Sequence, residues 1–566
     1  MKPCKDILKA CVSARSLFFI TILVLALPNV ALCLTERMGL MACVTNVVLP
    51  VAAVWLLMTL NRCPGKMTWI LFLLIFFAAF QLVLLYLFGH SIIAVDMFLN
   101  LVTTNPGEAL ELLDNLIPAV IGVVVVYIPV LVFAVVSIRR KDRLPCDFML
   151  RQRRYAAVGI AAGAVCLGVT YASDKDYRAE LHLYPVNVFY NLGLAVERTC
   201  ATNSYADTSA DFTFNAKATH PAADREVYVY VIGETARACS FSLYGYGRET
   251  TPMLAHEEGV IAFPKAVTQS NTTHKSVPML LSAASAEDYD RIYKEKGIIT
   301  AFKEAGFHTV FISNQLPNHS FIDFFGEEAD QWVFLKERKG YDPSQGDEAM
   351  LPEIRKVLAE GRRKELIVLH TYGSHFNYRE RYPRQAAAFT PDDATEAKAK
   401  NRASLVNAYD NTIRYTDRLL ASIISELRGT GAVSALLYTS DHGENIFDDS
   451  RRLFLHASPV PSYYELHVPL IVWTSDGYRQ RYATVTASLT ANRTKRIATS
   501  ASAFHTMLTI AGIDTPLRND SLSAASSLFT VRPYVYLNDH NRAVPVTGLL
   551  RSEKDFEMFK EKGINL

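Results

Sequence analysis

Five apolar segments crowd into the first 172 residues of this 566-residue chain. They are 16–34 (SLFFITILVLALPNVALCL), 39–60 (GLMACVTNVVLPVAAVWLLMTL), 67–89 (MTWILFLLIFFAAFQLVLLYLFG), 117–138 (IPAVIGVVVVYIPVLVFAVVSI) and 155–172 (YAAVGIAAGAVCLGVTYA). Each approaches or exceeds the length needed to cross a bilayer as a helix. Buried core helices are the ordinary alternative, but five such runs in succession, almost free of charge, argue against it. A cleaved leader fits the first run poorly, because four more apolar segments follow.

Lysine and arginine in the loops set the orientation. Lys2, Lys5, Lys9 and Arg15 precede the first segment, and Arg62 and Lys66 follow the second. Arg139, Arg140, Lys141, Arg143, Arg151, Arg153 and Arg154 lie between the fourth and fifth. The loop at 90–116 has no Lys or Arg but carries Asp96, Glu108, Glu111 and Asp114. This alternation predicts a cytoplasmic N-terminus, and five spans place everything after residue 172 outside the cytoplasm. The formal net charge of +2 gives no bulk electrostatic case for nucleic acid. Of nine cysteines, only Cys200 and Cys239 fall in the exported part. That part can hold at most one disulfide between them and is not a disulfide-stapled domain.

Residues 173–222 read as a connector, either an extended linker or amphipathic helices on the membrane surface. From 223 to 566 the pattern is α/β. The runs VYVYVI (227–232), HTVFIS (308–313), ELIVLH (365–370), VSALLYT (433–439) and VPLIVWT (468–474) suit strands buried on both faces. Helical patterns at 347–360 and 402–428 alternate with them. The expected architecture is a membrane α-helical domain over 1–172 and an exported domain with a mostly parallel sheet flanked by helices.

Ligand sites in such sheets lie beyond the carboxyl ends of the strands. Glu234 follows the first of these strands, Asp441 and His442 follow the fourth, His375 follows the third, and His456 stands in FLHASP. Each alone is weak. A carboxylate after a strand usually serves a helix N-terminus, and a lone histidine is usually a satisfied polar residue. Together, two carboxylates and three histidines would gather at one sheet edge, and a divalent cation would offset their repulsion. This mixture of oxygen and imidazole ligands suits zinc, with manganese as the alternative. The stretch QSNTTHKSVP (269–278) crowds hydroxyls and cations before an apolar run. Its bland reading is a polar loop feeding a helix that starts near Ser-Val-Pro. Its sharper reading is a nucleophile, because metal coordination can activate a threonine hydroxyl that is unreactive at its free pKa. His274 and Lys275 would add positive charge near a phosphate, and a second metal at His375 and His456 would serve the opposite oxygens.

These motifs resemble the phosphoethanolamine transferases of Gram-negative inner membranes, within the alkaline phosphatase and sulfatase superfamily. VIGETARACSFSLYGYGRETTPML (231–254) and YTSDHGEN (438–445) look like the family's two metal segments, and the resemblance covers essentially the full length. It implies a multi-pass inner-membrane protein with a periplasmic catalytic domain, expected to be monomeric. It also implies Thr273 as nucleophile, with Thr272 as competitor. Glu234, Thr273, Asp441 and His442 would then be the first zinc site, and His375 and His456 second-metal or phosphate contacts. His467 is a further neighbour, better read as a strand-entry residue. Asn100, Thr104 and Glu108 repeat the family's four-residue spacing and imply contacts to a phosphatidylethanolamine donor. His319 occupies the place of a basic residue near the phosphate. Two departures stand out: the exported domain lacks the family's several disulfides, and Asn271 and Met279 replace loop cysteines. The acceptor therefore stays open between a lipid A phosphate, a lipopolysaccharide core sugar and another glycan. One or two zinc ions are implied, and so is polymyxin resistance, because a phosphoethanolamine cap would mask anionic charge.

Two other classes compete. A phosphodiesterase, sulfatase or phosphoglycerol transferase of the same superfamily is the nearer one, although a sulfatase Cys/Ser-x-Pro-x-Arg segment is not found. A binding domain with a structural metal ranks last, since structural zinc sites are usually rich in cysteine.

Overall fold

The computed structural model describes residues 13–89, 91–103, 106–394 and 396–566. The chain separates into two compact units, Met1–Val102 with Leu112–Arg198, and Thr103–Glu111 with Thr199–Leu566. The stretch expected as a connector is divided between them at 198/199.

The first unit is helical. Its main elements are α1 (Ala14–Thr35), α2 (Leu40–Met58), α3 (Pro64–Ile70), α4 (Phe72–Phe88), α5 (Val95–Thr103), α6 (Pro106–Arg139), α7 (Cys146–Ser173) and α8 (Val186–Asn203), of which α5, α6 and α8 each have one end in the second unit. Four of these are long and apolar enough to cross a membrane: α1, α2, α7 and the Ile117–Arg139 part of α6. The predicted third span is broken. Helices α3 and α4 meet at Leu71 with a bend of 62°, and they make a fifth span only if the bent pair is counted as one.

Inside this unit the helices pack through apolar contacts and a few polar rungs. Thr21 bonds Thr68 at 2.9 Å, and Thr45 bonds Thr170 at 2.9 Å. Asn29 donates to the Asn46 carbonyl at 2.7 Å. Small residues let α2 and α7 approach closely, as in membrane helix pairs generally. A Cβ on Gly163 would lie 2.9 Å from Leu49 Cα, so that position has no room for a side chain.

The second unit is built on a seven-stranded sheet. Its strands are β1 (Glu226–Gly233), β2 (Val260–Ala262), β3 (His308–Ser313), β4 (Gln331–Phe334), β5 (Lys364–His370), β6 (Val433–Ser440) and β7 (Leu470–Thr474). In space they run β2-β7-β6-β1-β5-β3-β4. Six strands run in one direction, five of them paired in parallel, and β7 alone is reversed, antiparallel to its neighbours β2 and β6. All five strand runs expected from the sequence are present. β1 is buried along its whole length, as its unbroken Val, Ile and Tyr content requires. Tyr228, Tyr230 and Ile232 enter one core cluster with Leu366, Val368, Leu437 and Val472. The expected helix at 402–428 is Arg402–Gly429, whereas the one at 347–360 shortens to Leu351–Ala359 after a 3-10 stretch.

Register brings the carboxyl ends of four strands together. Gly233 pairs with Ser440, Ile232 with His370, and Ser313 with His370. The residues just beyond these ends are Glu234, Asp441, Thr371 and Asn314.

Candidate active site

The stretch that begins QSNTTHKSVP starts a helix, α9 (Thr273–Leu281), earlier than its Ser-Val-Pro suggests. Pro278 lies inside this helix rather than in its first turn. Proline there supplies no N–H to the His274 carbonyl four residues back. The Tyr289 hydroxyl donates to that carbonyl instead, at 3.4 Å. Thr273 thus becomes the first residue of α9, where the helix dipole favours negative charge on its oxygen.

Thr273 Oγ1 lies 3.1 Å from Glu234 Oε1 and 3.1 Å from His442 Nε2. Thr272 turns its hydroxyl to Ser270 instead, at 3.1 Å, and is buried. His442 Nε2 lies 3.1 Å from Asp441 Oδ2 and 3.6 Å from Glu234 Oε1. Ligand atoms of Glu234, Asp441 and His442 all fall within 4.8 Å of one another, and all three residues are buried.

The hydrogen bonds around this cluster decide what it can hold. His442 Nδ1 lies 3.0 Å from the Gly443 carbonyl, which assigns the proton to Nδ1. Nε2 then carries a lone pair, and it faces carboxylate oxygens that carry lone pairs too. Asp441 Oδ1 accepts from the Thr235 and His442 amides at 3.0 and 2.7 Å, while buried Oδ2 has no hydrogen-bond partner. Burial and then the Asp441 charge push Glu234 well above the usual carboxylate range. Burial likewise pushes Asp441 up to about 6. Two carboxylates, an imidazole and a hydroxyl converging on one point are a zinc-type donor set and fit a cation.

Further contacts hold Glu234 and Asp441 in place, as a metal site would require. Thr235 Oγ1 donates to Glu234 Oε1 at 2.8 Å, and Gln315 Nε2 donates to Glu234 Oε2 at 3.3 Å. Thr235 itself adopts φ +62°, which aims its amide at Asp441. The Gly373 turn presses on the backbone of Glu234. Gly373 has φ +51°, and a Cβ there would lie 2.6 Å from the Glu234 carbonyl oxygen. Asn271, where the resembled family often has cysteine, ties the loop before Thr273 down without a disulfide. It donates to the Ser458 carbonyl and to Glu465 at 2.8 Å each, and accepts from the Tyr536 hydroxyl at 2.6 Å.

The remaining expected residues divide. His456 comes to the cluster, with its ring 4.2 Å from that of His442, and His375 lies 5.8 Å from His456. Burial drives the His375 imidazole down to about 3. Burial would also lower His456, but the carboxylates of Glu444, Glu234 and Asp441 prevail and raise it to about 9. His319 is exposed on the loop that also carries Gln315. Lys275 is buried, with its ammonium donating to the Asn538 carbonyl at 3.0 Å. His467 is a packing residue at the entry to β7: Tyr463 Oη meets its Nδ1 at 2.7 Å and its Nε2 meets the Pro264 carbonyl at 2.9 Å. Cys200 and Cys239 are free thiols. Asn100 lies in α5 and Glu108 in the first turns of α6, and Thr104 is outside the described residues.

Sequence reasoning missed Gln315 and Glu444. Gln315 is one polar residue in a loop and has no motif. Glu444 stood in view within the Asp-His-Gly-Glu segment. It is fully buried, both carboxylate oxygens lack a hydrogen-bond partner, and Oε1 lies 3.4 Å from His456 Nδ1.

The profile of the Sulfatase family matches residues 226–513, just over half of the chain. The Kdo(2)-lipid A phosphoethanolamine 7''-transferase of Escherichia coli K12 is 31% identical over 316 residues, which cover 54% of this chain and 54% of that protein. The chain thus spans about half the length of the curated relatives it matches. The integral membrane protein lipooligosaccharide phosphoethanolamine transferase A of Neisseria meningitidis superposes with a TM-score of 0.70 at 22% identity, over 90% of this chain and 98% of that one. The periplasmic domain of EptC from Escherichia coli, solved in complex with Zn, superposes at 0.54 and 23% identity, over 60% of this chain and 98% of that domain.

Proposed function

Because the chain belongs to the sulfatase family, we propose that it is a membrane-anchored phosphoethanolamine transferase. The donor is phosphatidylethanolamine and the acceptor is a lipid A or lipopolysaccharide-core group. The carrying observation is one partly exposed threonine hydroxyl at a helix N-terminus, 3.1 Å from both Glu234 and His442. Relatives matched over half their length bear the name of this activity, and that supports the substrate class.

The reaction proceeds in two displacements. Thr273 Oγ1 gives up its proton and attacks the donor phosphorus, an O–P bond forms, and diacylglycerol leaves with a proton on its oxygen. Phosphoethanolamine then sits on Thr273. An acceptor oxygen attacks that phosphorus, loses its proton, and regenerates the threonine. Glu234, Thr273, Asp441 and His442 would hold zinc, which would lower the hydroxyl pKa and offset charge on the phosphoryl oxygens. His375 and His456 are proposed to contact the remaining phosphoryl oxygens or a second ion. Asn100, Thr104, Glu108 and His319 are proposed donor contacts, Glu108 being suited to the ethanolamine ammonium. A periplasmic catalytic unit on an inner-membrane protein is part of this reading, and it is supported by the Arg-rich 139–154 loop and by five spans when the bent pair is counted as one.

The test of substrate class is donor competition. Full-length protein in vesicles should release diacylglycerol from phosphatidylethanolamine and leave phosphatidylglycerol intact. Release from phosphatidylglycerol alone would instead favour the phosphoglycerol transferase reading. Release with no group retained on Thr273 would favour a phosphodiesterase.

Gly373→Ala should lower transfer by about a hundredfold without removing the protein from the membrane, because the new methyl group displaces the Glu234 backbone and a shift near 1 Å suffices for that loss. Transfer rates of the two proteins at equal membrane content check this.

A further inference from the structure

The polar rungs of the first hairpin point to a modification site. Helices α1 and α2 are joined by only 36–39, so they run antiparallel with neighbouring ends. Asn29 donates to the Asn46 carbonyl at 2.7 Å, which fixes which faces meet. One helical turn nearer the connection, the next rung holds two cysteines. Cys33 Sγ lies 3.5 Å from the Cys43 carbonyl, and Cys43 Sγ lies 3.9 Å from the Cys33 carbonyl. Each thiol therefore reaches the backbone of the other. The Asn46 amide, 3.8 Å from Cys33 Sγ, holds the first thiol from beneath.

Depth agrees as well. Cys33 is two residues from the end of α1 and Cys43 three residues into α2, so both lie within about 5 Å of the helix ends. Both thiols are free and half-buried. In the topology proposed above, this end faces the non-cytoplasmic side, where disulfides persist.

We propose that Cys33 and Cys43 form a disulfide that clamps the outer end of the first membrane hairpin. The two thiols lose two protons and two electrons, and one S–S bond forms. A disulfide-bearing protein oxidant of that compartment takes the electrons and is itself reduced to a dithiol. The exchange passes through a mixed disulfide.

Tryptic cleavage separates the two cysteines, which makes the test direct. Residues 16–37 carry Cys33 and residues 38–62 carry Cys43, and neither peptide has another cysteine. Cells making the full chain are quenched with N-ethylmaleimide, and the protein is digested without reductant. The expected result is a single species with the summed mass of both peptides less two hydrogens, which reduction splits. Cys43→Ser should abolish it and leave the Cys33 peptide carrying maleimide. Recovery of the wild-type peptides separately, each alkylated or each joined to glutathione, would overturn the proposal. Transfer activity is no part of the readout, so this outcome is independent of the catalytic reading.

Discussion

Thr273→Ala is expected to abolish phosphoethanolamine transfer, with a loss of about a thousandfold or more, because removing the nucleophile of a covalent mechanism leaves only binding and electrostatics. Mass spectrometry of envelope lipids and glycans compares cells making the wild type with cells making the variant. A phosphoethanolamine-sized increment should appear with the wild type alone, and the molecule that carries it identifies the acceptor. Thr272→Ala should leave the increment in place, since the Thr272 hydroxyl faces Ser270 and not Glu234. Thr273→Ser keeps an oxygen at the same position and should retain part of the activity. Loss of fold does not explain the expected difference. Thr273 is partly exposed at the first position of α9, and threonine there has little packing to lose. Full transfer by Thr273→Ala would remove the threonine from the mechanism and leave the family assignment standing.

Much of this site was legible because a parallel sheet converts sequence order into geometry. Glu234, Asp441 and His375 each follow a strand, and the register Gly233–Ser440 and Ile232–His370 brings those strand ends together. The residues that escaped are those whose role depends on loops crossing from elsewhere. Gln315 reaches Glu234 only because the strand 308–313 ends beside 364–370. Nothing in the local sequence says that its amide turns inward. The start of α9 was misplaced for a related reason. Pro278 reads locally as a first-turn proline, but the Tyr289 hydroxyl supplies the hydrogen bond that proline cannot, and the helix extends back to Thr273. The break at Leu71 was hidden as well, because hydropathy counts apolar length and carries no signal for a 62° bend within it.

Metal removal should lower the melting temperature, whereas substituting Asp441 should raise that of the metal-free protein. Chelation is expected to lower both activity and thermal stability of the full chain in detergent, and zinc should restore both. An ion at a hundred times its Kd adds about 2.7 kcal/mol to the folded state. Without the ion, Glu234 and Asp441 face each other in a buried site where desolvation already penalises their charged forms. Asp441→Asn relieves that repulsion. Its side-chain oxygen can keep the bonds from the Thr235 and His442 amides, and its new N–H₂ falls where Oδ2 stood, 3.1 Å from His442 Nε2. The amide then donates to that lone pair, so an unpartnered acceptor is replaced by a satisfied donor, a change worth about 1–3 kcal/mol. The chelated Asp441→Asn protein should therefore melt above the chelated wild type. It should also lose the zinc-dependent rise in melting temperature and the transfer activity together. Melting curves of both proteins, with chelator and with zinc, decide the matter. A variant that still responds to zinc as the wild type does would show that Asp441 does not bind the ion, and one that melts below the chelated wild type would show that the Asp441 carboxylate is stabilised by protein contacts rather than strained.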